Sequence, residues 1–211
     1  MPGPGARAQP TDADASTATR ILDAAEILFA QRGFAGVSVR EIAGQVGLNQ
    51  GSIYNHFPSK QSLYEAVLQR GLTPFREILE SAATELTGPD ARDALLERLV
   101  DQLWRTPNIA KLIQREVLDD GEVLERLSEQ WLRPIYTAGR AAMDAVPQVR
   151  ESWVERDIPF VVLGMYHFLF GPFGSAALTR RVIGEEPLSE DMRQAHIDFL
   201  KRATHRLMGG A

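Results

Sequence analysis

The chain of 211 residues contains no cysteine. That excludes disulfides and thiolate metal sites, and it makes a reducing cytoplasm the simplest setting. Long apolar runs are missing too. The most apolar stretch, 158–170 (IPFVVLGMYHFLF), is too short and too interrupted to span a bilayer, so no membrane is expected among the partners. No glycine-rich phosphate loop occurs, and the four histidines, at 56, 167, 196 and 205, form no H-x-x-x-H or E-x-x-H pair. The carboxylate pairs Asp119-Asp120 and Glu185-Glu186 fall in expected turns, where solvated charge is their ordinary role. These absences argue against an enzyme and lead us to expect no cofactor and no metal. An excess of positive charge is also lacking, since the net charge is −5. Its distribution matters more than its sum: residues 1–16 carry −1, residues 17–71 carry +1 and residues 72–211 carry −5. The acid lies away from the segment that could meet a nucleic acid, and a near-neutral segment predicts modest affinity per protomer.

What is present centres on Ser38 to Lys60, SVREIAGQVGLNQGSIYNHFPSK. Ser38 followed by Glu41 is a capping box and starts a helix near Val39. Val39, Ile42, Ala43 and Val46 form its apolar face, Gly47 allows a sharp turn, and Leu48 fills the corner. A second helix then runs from about Asn49 or Gln50 to Phe57 and ends at Pro58. Ile53 and Phe57 are its inner edge, which leaves Gln50, Gly51, Ser52, Asn55 and part of Tyr54 facing outward. This is the pattern of a helix-turn-helix over about 38–57, whose second helix enters the DNA major groove. Gln50 and Asn55 carry donor–acceptor amides suited to adenine edges, and Ser52 can serve several bases. Gly51 permits close backbone approach. Tyr54, His56, Lys60, Arg40 and the amides around Ser38 suit phosphate oxygens. Taken one at a time, Tyr54, His56 and Lys60 also suit a packed aromatic, a surface histidine and a solvated charge. Their joint occurrence favours DNA.

The segment from about Thr17 to Arg70 resembles the N-terminal domain of the TetR/AcrR family of transcriptional regulators. ILDAA…LF…RGF, S-x-R-E-I-A, G-x-x-Y-x-H-F and the following S-K stand in order and at family spacing. The resemblance covers about a quarter of the chain. It implies that Gln50, Ser52, Tyr54, His56 and Lys60 match positions that contact operator DNA, with Tyr54 and Lys60 on phosphate. Asn49-Gln50 departs from the commoner serine–lysine pair and removes one phosphate-binding lysine.

Around this centre the expected class is all-α: an N-terminal three-helix helix-turn-helix domain and a C-terminal helical bundle for ligand binding and dimerisation. Residues 1–16, rich in proline, glycine and alanine, read as a disordered arm without a signal peptide. Residues 17–71 read as the DNA-binding domain. Its first helix, Thr17 to Arg32, carries the stripe Ile21, Ala25, Leu28 and Phe29, closed by Gly33 with Phe34 beneath. Ser59 caps the next helix, whose apolar residues are Leu63, Tyr64, Val67 and Leu68. Gly71 and Pro74 are expected to kink or interrupt it and to mark the domain boundary. Residues 72–211 show helical stripes throughout. Ile109, Leu112, Ile113 and Val117 form one, and Leu127, Trp131 and Tyr136 form another with a kink at Pro134. The stretch 158–170 is apolar all round and is expected inside the bundle or at a dimer interface. A last helix over about 189–208 shows Met192, His196, Phe199, Ala203 and Leu207 on one side. The resemblance implies a homodimer formed through the last two long helices.

A mostly apolar pocket between helices would hold a small-molecule effector, with Trp104, Trp131, Tyr136, Tyr166, His167 and Phe170 as candidate contacts. Aromatics at helical spacing serve as core more often than as ligand contacts. The reading is therefore a sequence-specific repressor, bound to a palindromic double-stranded DNA operator and released by an effector. An activator of the same family is the nearest alternative. A helical-bundle carrier or enzyme with a vestigial DNA domain, and an architectural or protein-partner module, belong to other classes.

Overall fold

The computed structural model describes residues 12–85, 89–119, 121–144 and 153–207, and every regular element among them is helical. The chain divides into two units, Met1–Leu68 and Gln69–Ala211.

The first unit holds α1 (Asp12–Arg32), α2 (Val39–Gln45), α3 (Gln50–His56) and the opening turns of α4 (Lys60–Glu85). Helix α1 begins at Asp12, inside the stretch expected to be an arm, because alanines at 13 and 15 favour helix once the apolar stripe behind them is docked. Residues 1–11 lie outside the described residues. The core joins Ile21, Ala25 and Phe29 of α1 to Ile42, Ile53, Leu63 and Tyr64, all buried. Leu28 is only half-buried, and Ala24 takes the inner position instead. The Phe29 ring meets Tyr64 edge-on at 4.9 Å, and Phe34 lies 5.1 Å from Tyr64, so three rings close the gap beneath Gly33. Each such buried side chain contributes about 1.5–3 kcal/mol. Gly33, at φ 74°, ends α1 with its N–H donated to the Phe29 carbonyl at 2.8 Å.

The second unit holds the rest of α4, then α5 (Pro89–Arg105), α6 (Pro107–Asp119), α7 (Glu122–Leu127), a π turn over Ser128–Leu132, α8 (Arg133–Asp144), a 3-10 turn over Glu155–Asp157, α9 (Ile158–Gly174), α10 (Ala176–Val182) and α11 (Glu190–Leu207). A kink or interruption was expected at Gly71–Pro74; the helix is not interrupted, and α4 passes through Pro74. Burial of Gly71, Leu72 and Phe75 outweighs the rung that proline removes, and the Thr73 hydroxyl donates to the Gln69 carbonyl at 2.8 Å. Gly71 serves packing: a Cβ there would lie 2.0 Å from Ile109 Cδ1.

At Pro134, where a kink was expected, the chain stays helical. The π turn precedes it, with the Arg133 N–H reaching back to the Ser128 carbonyl, so the proline follows directly on the wider turn. Helices α5 and α11 lie together over Leu96, Val100, Ile197 and Leu200, with Arg193–Asp101 and Lys201–Glu97 ion pairs beside them. In α6 the buried residues are Ile109, Ala110, Leu112, Ile113 and Glu116, while Val117, on the last turn, is exposed. The interior of α9 is restricted to Ile158, Val161 and Phe173; Phe160, Leu163 and Phe168 face outward, so the helix is not buried all round within one chain. In α11 the inner positions are His196, Ile197 and Leu200, and Phe199 is exposed. Among the described residues no single helix is long and apolar enough to cross a membrane.

Candidate nucleic-acid interface and ligand cleft

The entry to α2 is set by the capping box. Glu41 N–H donates to Ser38 Oγ at 3.2 Å, while the Glu41 carboxylate accepts from the Ser38 N–H at 2.8 Å and from the Ser38 hydroxyl at 2.7 Å. Arg32 donates to its other oxygen at 2.8 Å. The Ser38 N–H first, then Arg32 and the Ser38 hydroxyl, hold the Glu41 carboxyl at about 2, well below its ordinary 4.5. Ser38 thus spends both its N–H and its hydroxyl within the helix start. Arg40 is exposed on α2.

The turn follows from Gly47 at φ 71°. The Leu48 N–H returns to the Ala43 carbonyl at 2.9 Å, and Arg20 of α1 donates to the Val46 carbonyl at 2.7 Å, which ties the corner to the first helix. Asn49 then caps α3: its Oδ1 accepts from the Ser52 N–H at 2.8 Å and from the Ser52 hydroxyl at 3.2 Å. The departure from serine at position 49 is therefore chemically conservative, since an asparagine oxygen performs the same capping. Ile53 is the buried anchor of α3. Gln50, Gly51, Tyr54 and Asn55 are exposed, and Ser52 and His56 are half-buried. Gln50 Nε2 donates to the Tyr54 hydroxyl at 3.2 Å, a bond that does not use the amide oxygen of Gln50 or the hydroxyl hydrogen of Tyr54.

At the start of α4, Ser59 and Ser62 cap one another. Ser59 Oγ accepts from the Ser62 N–H at 3.0 Å and Ser62 Oγ accepts from the Ser59 N–H at 2.9 Å. Lys60 stands just inside, its ammonium 4.2 Å from the centre of the Phe34 ring. Desolvation lowers its pKa, partly opposed by the charge of Glu41. The Lys60 cation is thus held by an aromatic face of its own unit.

In the second unit a cleft of about 450 Å³ opens among α5, α9, α10 and α11, with Trp104, His167, Phe168, Met192, His196 and Phe199 in its wall. Of the residues expected to meet a ligand, Trp104 and His167 line it. The other four stand elsewhere. Trp131 is buried under the Arg76 guanidinium at 5.2 Å, and Tyr136 is half-buried on α8. Tyr166 stacks on Phe170 at 4.8 Å, with Phe75 a further 6.3 Å from Phe170. Burial raises the pKa of Tyr166, whose hydroxyl has no hydrogen-bond partner among the described residues.

His196, Phe168, Met192 and Phe199 were not expected as site residues, although His196 shares a helical stripe with Met192 and Phe199 that could have pointed to it. His196 Nε2 lies 2.8 Å from the Phe168 carbonyl. A carbonyl only accepts, so Nε2 carries the hydrogen and Nδ1 is left as an acceptor. Burial lowers the pKa of this imidazole, opposed by that hydrogen bond, and so favours its neutral form.

An exposed amide and hydroxyl face on a short helix, set by a glycine turn against a capped partner helix, defines a helix-turn-helix DNA-binding protein. Residues 21–67 match the model of bacterial regulatory proteins of the tetR family. The chain is 25% identical over 175 residues to the "Probable HTH-type transcriptional regulator YttP" of Bacillus subtilis (strain 168), covering 82% of this chain and 84% of that protein. It is 39% identical over 97 residues to the HTH-type transcriptional repressor KstR2 of Rhodococcus jostii (strain RHA1), covering 44% of each. The crystal structure of a TetR-like transcriptional regulator from Rhodococcus sp. RHA1 superposes with a TM-score of 0.66 at 20% identity, covering 95% of this chain and 100% of that one, which establishes the fold. Residues 21–67 thus match the DNA-binding segment of tetR-type regulators, and the relatives matched are transcriptional regulators, not enzymes.

Proposed function

We propose that this regulator is a repressor that binds a palindromic operator as a homodimer in the cytoplasm and leaves it when a small-molecule effector occupies the second unit. Residues 17–71 carry DNA binding in this reading, and residues 72–211 carry effector binding and dimerisation. The observation that carries it is the outward face of α3, where Gln50, Gly51, Tyr54 and Asn55 are exposed on a helix anchored by Ile53. Gln50 and Asn55 read base edges, Ser52 adds a hydroxyl, and Tyr54, His56, Arg40 and Lys60 meet phosphate. For Lys60 to do so, its ammonium exchanges the Phe34 face for a phosphate oxygen. Dimerisation is supported by the outward apolar residues of α9, Phe160 and Leu163. Helix α4, which includes residues of both units, carries the effector's influence to the DNA-binding side. An effector must favour the released state by a few kcal/mol, since equal affinity for both states shifts nothing.

The test is fluorescence anisotropy on the duplex upstream of the protein's own gene, against a scrambled duplex. The expected preference is at least about a hundredfold. Gln50→Ala or Asn55→Ala should weaken the cognate duplex by about 1–3 kcal/mol and leave the scrambled one nearly unchanged. Equal loss on both duplexes would remove these residues from base reading.

A further inference from the structure

The cleft in the second unit carries two buried polar atoms of opposite sense. Among the described residues Trp104 Nε1–H is a donor without an acceptor, and His196 Nδ1 is an acceptor without a donor. Their rings lie 6.0 Å apart, and both stand against the Phe173 ring, at 5.0 Å from Trp104 and 6.1 Å from His196. Leaving a buried donor or acceptor unmade costs about 1–3 kcal/mol, so two side by side in the wall of one cleft call for an occupant that completes both. The nearby hydroxyls do not do so: Ser175 donates to the Gly171 carbonyl at 2.6 Å, and Thr179 donates to the Ser175 carbonyl at 3.3 Å.

The wall also defines what the occupant is not. Among the described residues no lysine, arginine, aspartate or glutamate lines the cleft. An anionic or cationic ligand would lose its hydration there without gaining a counter-charge. A neutral hydroxyl meets both demands, since its oxygen accepts from the indole N–H while its hydrogen is given to the imidazole. The rest of the wall is aromatic and aliphatic, with Phe168, Met192 and Phe199 offering apolar contact to the rest of the molecule.

We infer that this cleft is a binding site for a neutral, largely apolar molecule bearing a hydroxyl group, with Trp104 and His196 holding that hydroxyl between them. The inference rests on the effector reading above and gives the effector a chemical class. Both nitrogens are shielded from solvent in this structure, so binding in this way requires the two rings to turn toward the cleft.

Three probes of one shape separate the alternatives by titration calorimetry at pH 7.5: 2-naphthol, which is neutral and hydroxylated; naphthalene, which lacks the hydroxyl; and 2-naphthoate, which is an anion. The expected result is that 2-naphthol binds about tenfold more tightly than either of the others, the effect of hydrogen bonds completed in a buried site. Trp104→Phe and His196→Phe keep a ring in place and should each bring 2-naphthol close to the naphthalene affinity. Equal affinities for the three probes, preference for 2-naphthoate, or no binding of any of them would overturn the assignment. So would an unchanged 2-naphthol affinity in both variants, or a wild-type dimer whose subunit contact blocks the probe while a monomeric variant binds it. Because the wild-type comparison needs no substitution, it stands even if a variant fails to fold. The anisotropy assay run alongside separates the two claims. Hydroxyl-selective binding with no change in operator affinity upholds the cleft and overturns the effector reading; lost operator binding without hydroxyl selectivity does the reverse.

Discussion

Glu41 collects three donors, from Ser38 N–H, Ser38 Oγ–H and Arg32, while remaining accessible to solvent. Its carboxyl is lowered from 4.5 to about 2 in the folded protein, so the stabilisation is fully present above pH 4.5 and is lost as the pH falls from there through about 2. Ser38→Ala removes the cap oxygen and one of these donors and should cost about 1 kcal/mol at pH 7 in urea denaturation. That cost should shrink at pH 2, where about half of the carboxylate is protonated even in the wild type. A cost that does not vary with pH would locate the effect in the hydroxyl–backbone bond alone. This device could be read directly from the sequence because it is local, a serine and a glutamate three positions apart. Lys60 over Phe34 could not, since the pair is 26 residues apart and exists only once α1 and α4 are docked.

At the scale of the element, α4 and α9 show what a pattern of residues leaves open. Gly71 and Pro74 carry the composition of a helix break, yet both lie within α4, because a helix's fate is decided by what it packs against as well as by its own propensities. Gly71 is the point where α4 meets α6. Gly71→Ala would drive a methyl to 2.0 Å from Ile109 Cδ1 and should destabilise the protein by about 1–3 kcal/mol, read as a lowered denaturation midpoint. Gly71→Ala combined with Ile109→Val should recover part of the loss, which distinguishes overpacking from a change in helix propensity. For α9 the sequence carries only apolar character, which does not separate a core helix from one with a face left for a partner. The separation comes from burial: Val161 inside, Phe160 and Leu163 outside. The cleft was half visible in advance. Trp104 and His167 stood out by type, whereas His196 became a candidate only when folding placed it beside Trp104 with one nitrogen unmatched.

For the molecule as a whole, the near-neutral charge of residues 17–71 makes two-site binding important, because one such segment holds few phosphates firmly. Leu163→Glu places a carboxylate on the exposed face of α9 without disturbing the interior and, on the proposed dimer, should shift sedimentation toward the monomer at micromolar concentration. Operator affinity should fall by about two orders of magnitude with it, as the second site loses its effective concentration. Unchanged sedimentation would exclude this face from dimerisation. The π turn at Ser128–Leu132 has a consequence of another kind. It holds one residue more than an α-helical turn needs, so it is a reserve of chain length within a continuous rod. Deleting the exposed Gln130 should let the segment close into an ordinary α-helix, with Leu127 and the present Trp131 still on one face and Arg133–Asp144 in phase. The same deletion within α6 would turn every later side chain of that helix by about 100°. The protein should therefore tolerate a shortened chain at 130 while failing to fold when one residue is removed from 109–116, a difference that a pair of melting curves would record.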